Sequence, residues 1–362
     1  MTSTATVAKD GKLSALVAVV GIIAVAMLAD IYWGYRGLAQ QVLSYALGCF
    51  VGVGGLGQLV VPLLRAIKAR QFIREDGPQA HLQKAGTPTM GGIYVIPVGL
   101  VTAMVATGFE PRVLAVSMVT LGFGLVGWLD DWQILRKKSN QGISPQLKLT
   151  LQGAIGLAYC IWLFFRENWQ DLTTIQLPLN LTLSLGLLFF PLALFVILGS
   201  TNATNLTDGL DGLAAGTGAI ALWGLAVLLF PQSLSLAVFC GCMAGSYLGF
   251  LWQNRHPAQV FMGDTGSLAL GGALAGVALA GDVLWGLLVL GLLFVWEAIT
   301  VILQVAYYKA TKNEQGIGKR LFKMAPYHHH LELSGWHETK IVLVFYGIAF
   351  LLVAVAVSLS KL

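Results

Sequence analysis

Runs of about 20 apolar residues recur along almost the whole chain, and a helix of that length crosses a bilayer. Eleven such spans are read: 13–33, 43–64, 89–107, 112–129, 148–165, 182–199, 212–230, 233–252, 265–281, 283–306 and 341–360. The spans 265–281 and 283–306 are separated only by Gly281-Asp282, so they form either a tight hairpin or one long broken element. The chain is 56% hydrophobic and 11% charged, where soluble domains carry roughly 25% charged residues. A soluble fold would need many buried helices with almost no polar faces to cover them. The expected fold is therefore all-α: a polytopic integral membrane bundle of ten to eleven transmembrane helices. The first apolar run is followed by Asp30, Tyr32 and Trp33 rather than a small-residue cleavage site, and reads as a retained helix.

Lysine and arginine set the orientation, because they are retained on the cytoplasmic side. With alternating spans and a cytoplasmic N-terminus, 18 of them fall in cytoplasmic segments. Only Arg36, Arg112, Arg166 and Lys361 fall outside. The net charge of +5 is thus an insertion signature, and no soluble basic domain exists to bind nucleic acid. Cys49, Cys160, Cys240 and Cys242 all sit inside apolar spans with no zinc or disulfide pattern, as small buried hydrophobes. The outer loops are short apart from roughly 166–181, where Thr173-Thr174-Ile175-Gln176-Leu177 suggests a small hairpin.

Every unusual polar cluster falls in one of five cytoplasmic loops: 65–88, 130–147, 200–211, 253–264 and 307–340. A transporter would spread such groups toward the bilayer midplane. One-sided clustering instead suits an enzyme that joins a water-soluble substrate to a membrane-resident one. Asp130-Asp131 end the fourth span, where two acids beside hydrocarbon call for a compensating cation such as Mg²⁺. In Asn202 to Leu213, Asn202, Asn205, Asp208 and Asp211 recur at three-residue steps, which a helical turn would stack on one face. Asp-Gly turns joining two helices are the plainer reading of part of that segment. Asp264 opens the ninth span, as an N-cap or as a Mg²⁺ ligand beside a diphosphate. Lys84, Thr87 and the glycines up to Gly92 would suit an anionic substrate, and Asn254 precedes the Asp264 segment as a further polar candidate. Lys319 to Glu332 carries basic residues and His328, His329 and His330, suited to anions or to proton transfer near neutral pH. Glu297 is an intramembrane acid, and so a functional candidate or the partner of an interior polar group.

Together these residues resemble the polyprenyl-phosphate N-acetylhexosamine-1-phosphate transferase superfamily, and within it the phospho-N-acetylmuramoyl-pentapeptide transferases. The matching stretches are Asp76-Gly77-Pro78, His81, Lys84 to Gly92, Asp130-Asp131, Asn202 to Leu213, Pro257 to Asp264, Gly266 to Gly272 and Met324 to Glu332. The run Ala325-Pro326-Tyr327-His328-His329-His330 is similar to the muramoyl branch rather than to its siblings. The resemblance implies a Mg²⁺-dependent helical bundle, often a homodimer, in a bacterial plasma membrane. The expected substrates are UDP-N-acetylmuramoyl-pentapeptide and undecaprenyl phosphate, and the expected products lipid I and UMP. By matching position it implies catalytic roles for Asp130, Asp131, Asp208, Asp211, Asp264 and His328. Asp264 would bind the metal, with Asp130 and Asp131 as further candidates. Lys84, Thr87, Asn202, Asn205, Asn254, His329 and His330 would bind substrate. Two departures stand out. The family commonly shows Asp-Asp-x-x-Lys, whereas Ile134 stands here, so the lysine's role passes to Arg136, Lys137, Lys138 or Lys148 or lapses. The family usually has ten spans, so residues 1–42 are read as an added helix and connection before a transferase domain at 43–362. A sibling transferase using UDP-N-acetylglucosamine and a nucleotide-sugar or lipid transporter remain the alternatives.

Overall fold

The computed structural model describes residues 2–33, 37, 39–67, 84, 86–137, 139 and 141–361. Asp76-Gly77-Pro78, His81 and Lys138 therefore lie outside the described residues. The chain is a bundle of helices: α1 (Thr2–Trp33), α2 (Ser44–Ala66), α3 (Gly92–Ala106), α4 (Pro111–Lys137), α5 (Pro145–Arg166), α6 (Trp169–Thr173), α7 (Phe189–Thr207), α8 (Leu213–Leu229), α9 (Leu234–Asn254), α10 (Gly263–Ala280), α11 (Leu284–Leu290), α12 (Leu292–Ala310), α13 (Tyr327–Glu332) and α14 (Glu338–Leu359). Among the described residues, eight helices are long and apolar enough to cross a membrane, with α3 and α8 as shorter apolar helices. The protein is a multi-pass, all-α membrane protein.

A helix that is apolar on every side must be surrounded. That is what α8 and α10 show, for all of Leu213–Leu229 and Thr265–Ala280 are buried. Around them α2, α5 and α12 leave most of their apolar residues exposed, the pattern of a lipid-facing rim. Helix starts follow local chemistry. Ser144 caps α5 by accepting from the Leu147 N–H at 3.2 Å, with Pro145 in the first turn. Arg112 at the start of α4 forks onto Glu167 past the end of α5, with contacts of 3.0 and 2.8 Å.

Two boundaries differ from the sequence reading. The span read as 283–306 breaks at Gly291 into α11 and α12. The span read from 182 starts instead as a strand, because Leu181-Thr182-Leu183-Ser184 alternates with period two. This strand, β2 (Leu181–Ser184), pairs antiparallel with β1 (Thr174–Leu177), with Thr174 opposite Ser184, through a turn with Leu179 and Asn180 in the left-handed region. The hairpin expected in that outer loop is thus present.

Candidate active site

Polar clusters remote in sequence converge on the first turn of α10. The free N–H groups that open a helix need acceptors, and here another helix supplies them. Asp131, near the end of α4, accepts from the Asp264 N–H at 3.1 Å through Oδ1. Its Oδ2 accepts from the Thr265 N–H at 3.0 Å and from the Thr265 hydroxyl at 2.6 Å. Asp131 is therefore a cap delivered across the bundle. Gly127, one turn earlier on α4, lets the two helices meet, since a Cβ there would lie 2.1 Å from the Asp264 carbonyl oxygen.

This packing brings Asp264 close to Asp130. Asp264 Oδ1 accepts from Asn205 Nδ2 at 2.8 Å, and its Oδ2 pairs with the ammonium of Lys148. Asn205 also donates to Ser267 Oγ at 2.9 Å. Asp130 is buried and accepts from the Ile143 N–H at 3.1 Å, which ties the loop before α5 to α4. Lys148 lies in the field of Asp264, Asp130 and Asp131 together. Asp208 follows α7, half-buried, and its N–H donates to the Asn205 carbonyl at 3.2 Å. Burial, then the charges of Asp264, Asp131 and Asp211, push its carboxyl up to about 8. The donors here are carboxylate and amide oxygens, a hard set of the kind Mg²⁺ takes. With Asp131 committed to the cap, Asp264 and Asp130 are the residues that could hold a divalent cation. The ammonium of Lys148 already marks the place as one that requires positive charge.

A second group stands beside the first. Lys84 Nζ donates to Asp211 Oδ1 at 2.8 Å and to Glu338 Oε1 at 2.7 Å. Glu338 Oε1 also accepts from the Asp211 N–H at 2.6 Å. His256 Nδ1 lies 2.8 Å from Asp211 Oδ2 and 3.1 Å from Glu338 Oε2. Burial opposes charge on both cations. The two carboxylates outweigh it, raising the Lys84 ammonium further and lifting His256 to about 9. Asp211, His256 and Glu338 offer three metal-capable atoms within 4.8 Å of one another. Two carboxylates already matched by an ammonium and an imidazolium leave no charge for a metal to neutralise, so the metal reading stays with Asp264.

The histidine segment backs this region. His328 is fully buried, with Nδ1 3.0 Å from Glu297 Oε2. Its Nε2 has no partner among the described residues. A Cβ at Gly209 would lie 2.2 Å from that Nε2 and 3.1 Å from His329 Nε2, so the two rings press on the turn after Asp208. His329 Nδ1 lies 2.7 Å from Glu332 Oε2. His330 stacks on Tyr327, and its Nδ1 accepts from the Lys323 N–H at 3.2 Å.

Comparison with known proteins decides the family. The model of glycosyl transferase family 4 matches residues 113–282, and phospho-N-acetylmuramoyl-pentapeptide-transferase signature 1 matches residues 84–94. A phospho-N-acetylmuramoyl-pentapeptide-transferase of Synechococcus elongatus is 57% identical over 338 residues, 91% of this chain and 92% of the relative. One from Nostoc punctiforme is 58% identical over 311 residues, covering 86% and 85% of the two chains. The chain belongs to the phospho-N-acetylmuramoyl-pentapeptide-transferase family.

Within this transferase, Asp130, Asp264, Asn205 and Lys148 form one group, with Asp208 in its field, and Asp211 and Lys84 form the other. Of the described candidates for the lysine absent at Ile134, Lys148 pairs with Asp264, while Arg136 and Lys137 are exposed. Several expected substrate contacts are already engaged. Asn254 accepts from the Gly212 N–H at 3.0 Å and donates to the Val260 carbonyl at 2.9 Å. Asn202 donates to Gln152 Oε1 at 2.9 Å. Thr87 is half-buried, and its N–H donates to the Lys84 carbonyl at 3.1 Å. Sequence reasoning missed His256 and Glu338. The one available signal was an acid directly before an apolar run, at Glu338, which reads equally as a helix-dipole residue.

The raised His256 gives the transferase a pH signature. An imidazole whose folded pKa exceeds its ordinary 6.5 lends stability in full below about 6.5, and that stability is lost as pH rises through about 9. The thermal midpoint of the detergent-purified protein is expected to fall across this window, and the His256→Asn variant to lack that component. Equal slopes in the two proteins would exclude a charged His256.

Proposed function

We propose that this transferase moves phospho-N-acetylmuramoyl-pentapeptide from its UDP-linked donor to undecaprenyl phosphate, giving lipid I and UMP, with Mg²⁺ at Asp264. The observation that carries the reading is the pairing of Asp264 with Lys148 beside Asp130, in a chain whose relatives are named for this transfer. An oxygen of the lipid phosphate attacks the sugar-bearing phosphorus of the donor. The new P–O bond replaces the bond to the UMP oxygen, so one diphosphate linkage is exchanged for another. Bound Mg²⁺ would supply Lewis-acid stabilisation of the diphosphate oxygens. Asp130 orients the lipid phosphate and takes its proton if it arrives protonated. Lys148 offsets charge on the transferring phosphoryl group, and Asn205 holds Asp264 in place. Asp208 faces the same charges from the turn that His328 and His329 support.

The asymmetry of 18 basic residues against 4 favours a cytoplasmic site in a bacterial plasma membrane. Residues 43–362 are read as the transferase proper with 1–42 as an added span, and the assembly as a homodimer. The test is transfer of labelled phospho-N-acetylmuramoyl-pentapeptide to undecaprenyl phosphate by purified protein, with Mg²⁺ or EDTA and with UDP-N-acetylglucosamine as rival donor. Mg²⁺-dependent lipid product and UMP from the muramoyl donor alone is the expected result. Product from the rival donor would move the chain to the sibling activity, and no product from either would return the transporter reading.

A further inference from the structure

We infer that Glu338 is a positioning residue that holds Lys84 and the turn at Asp208–Gly212, the part of the site left for the UDP-linked donor once Asp130 is given to the lipid phosphate; this rests on the transferase reading above. Glu338 stands in the first turn of α14, yet it reaches both Lys84 and Asp211. One carboxylate serves three donors from three separate segments. Oε1 accepts from the Lys84 ammonium at 2.7 Å and the Asp211 N–H at 2.6 Å, and Oε2 lies 3.1 Å from His256 Nδ1. The same helix touches the turn again one residue on, where the Tyr346 hydroxyl donates to the Gly212 carbonyl at 2.7 Å. The Gly212 end of the turn is therefore fixed from α14, while Asn254 accepts from the Gly212 N–H at 3.0 Å. A turn whose backbone donors and acceptors are met by side chains has little freedom left.

Lys84 explains why a carboxylate is needed. Its ammonium is mostly shielded, with its side chain 16% exposed, and is held between two acids whose side chains are 2% and 10% exposed. Without Glu338, Lys84 and His256 share Asp211 alone, the Asp211 N–H loses its acceptor, and the ammonium is free to swing. Removing one member of a buried charged set leaves the others unsatisfied. Glutamine keeps an oxygen for the Asp211 N–H but loses the charge that holds the two cations.

The test is steady-state transfer by full-length Glu338→Gln and Glu338→Ala, with UMP affinity measured by calorimetry. The KM for the UDP-linked donor is expected to rise on the order of 10-fold in the alanine variant and about 3-fold in the glutamine variant. The kcat and the KM for undecaprenyl phosphate should stay within about 2-fold, and UMP affinity should fall in step with the donor KM. A merely structural role would lower the active fraction, and so kcat, at unchanged KM; that pattern, or unchanged UMP affinity, overturns the inference. If the alanine variant does not survive purification, the glutamine variant decides alone. Failure of the wild-type protein to form lipid product would instead count against the reading of function, whatever the variants do.

Discussion

Asp264→Asn is expected to lower turnover on the order of 10³-fold, through loss of metal and phosphoryl charge stabilisation. Asparagine has the same shape, so the helix start should survive: the Asp264 N–H still reaches Asp131, and the Thr265 hydroxyl still donates to it. What vanishes is the charge that pairs with Lys148. The measurement is the initial transfer rate across a Mg²⁺ titration, with the thermal midpoint as control for folding. Near-normal Mg²⁺-dependent activity in a folded variant would remove the assignment of Asp264.

Lys148→Met should separate two effects that Asp264→Asn merges. Its ammonium occupies Asp264 Oδ2 and lies in the field of Asp130 and Asp131, so it competes with a divalent cation for the same oxygens. Removing it should lower the Mg²⁺ concentration for half-maximal rate. The maximal rate should fall on the order of 10²-fold, because a cation aimed at the phosphoryl group is gone. A rate loss that excess Mg²⁺ fully reverses would make Lys148 a substitute for the metal rather than its companion. An unchanged rate would return the role to another lysine.

The spans were legible because membrane crossing requires long apolar runs, and the hairpin because Thr173-Thr174-Ile175-Gln176-Leu177 alternates, although its second strand, Leu181–Ser184, reads as part of the following span. The break at Gly291 was not, since apolar composition runs unchanged across it and glycine is common in membrane helices. In the site, the acidic motifs were visible but their grouping was not. The three-residue steps from Asn202 to Asp211 suggest one helical face, yet α7 stops at Thr207. Asn205 therefore faces Asp264 from a helix, while Asp211 turns away to Lys84 and Glu338. Asn254 and His330 looked free to bind substrate because a sequence cannot show which amide or imidazole is already engaged by a backbone. The Glu338 contacts span 127 and 254 residues, a separation at which no periodicity carries information.

The two helices α10 and α12 are both apolar, but they should differ sharply in mutational tolerance. On α12 only Leu293, Phe294, Glu297 and Thr300 are buried, so most positions need only remain soluble in lipid. On α10 every residue from Thr265 to Ala280 is buried, and none is larger than leucine. A bulkier side chain there must push the whole column, and the column carries Asp264 at its tip. Exhaustive substitution scored by growth should therefore find α12 permissive and α10 nearly closed, including positions far along the helix from any charged group.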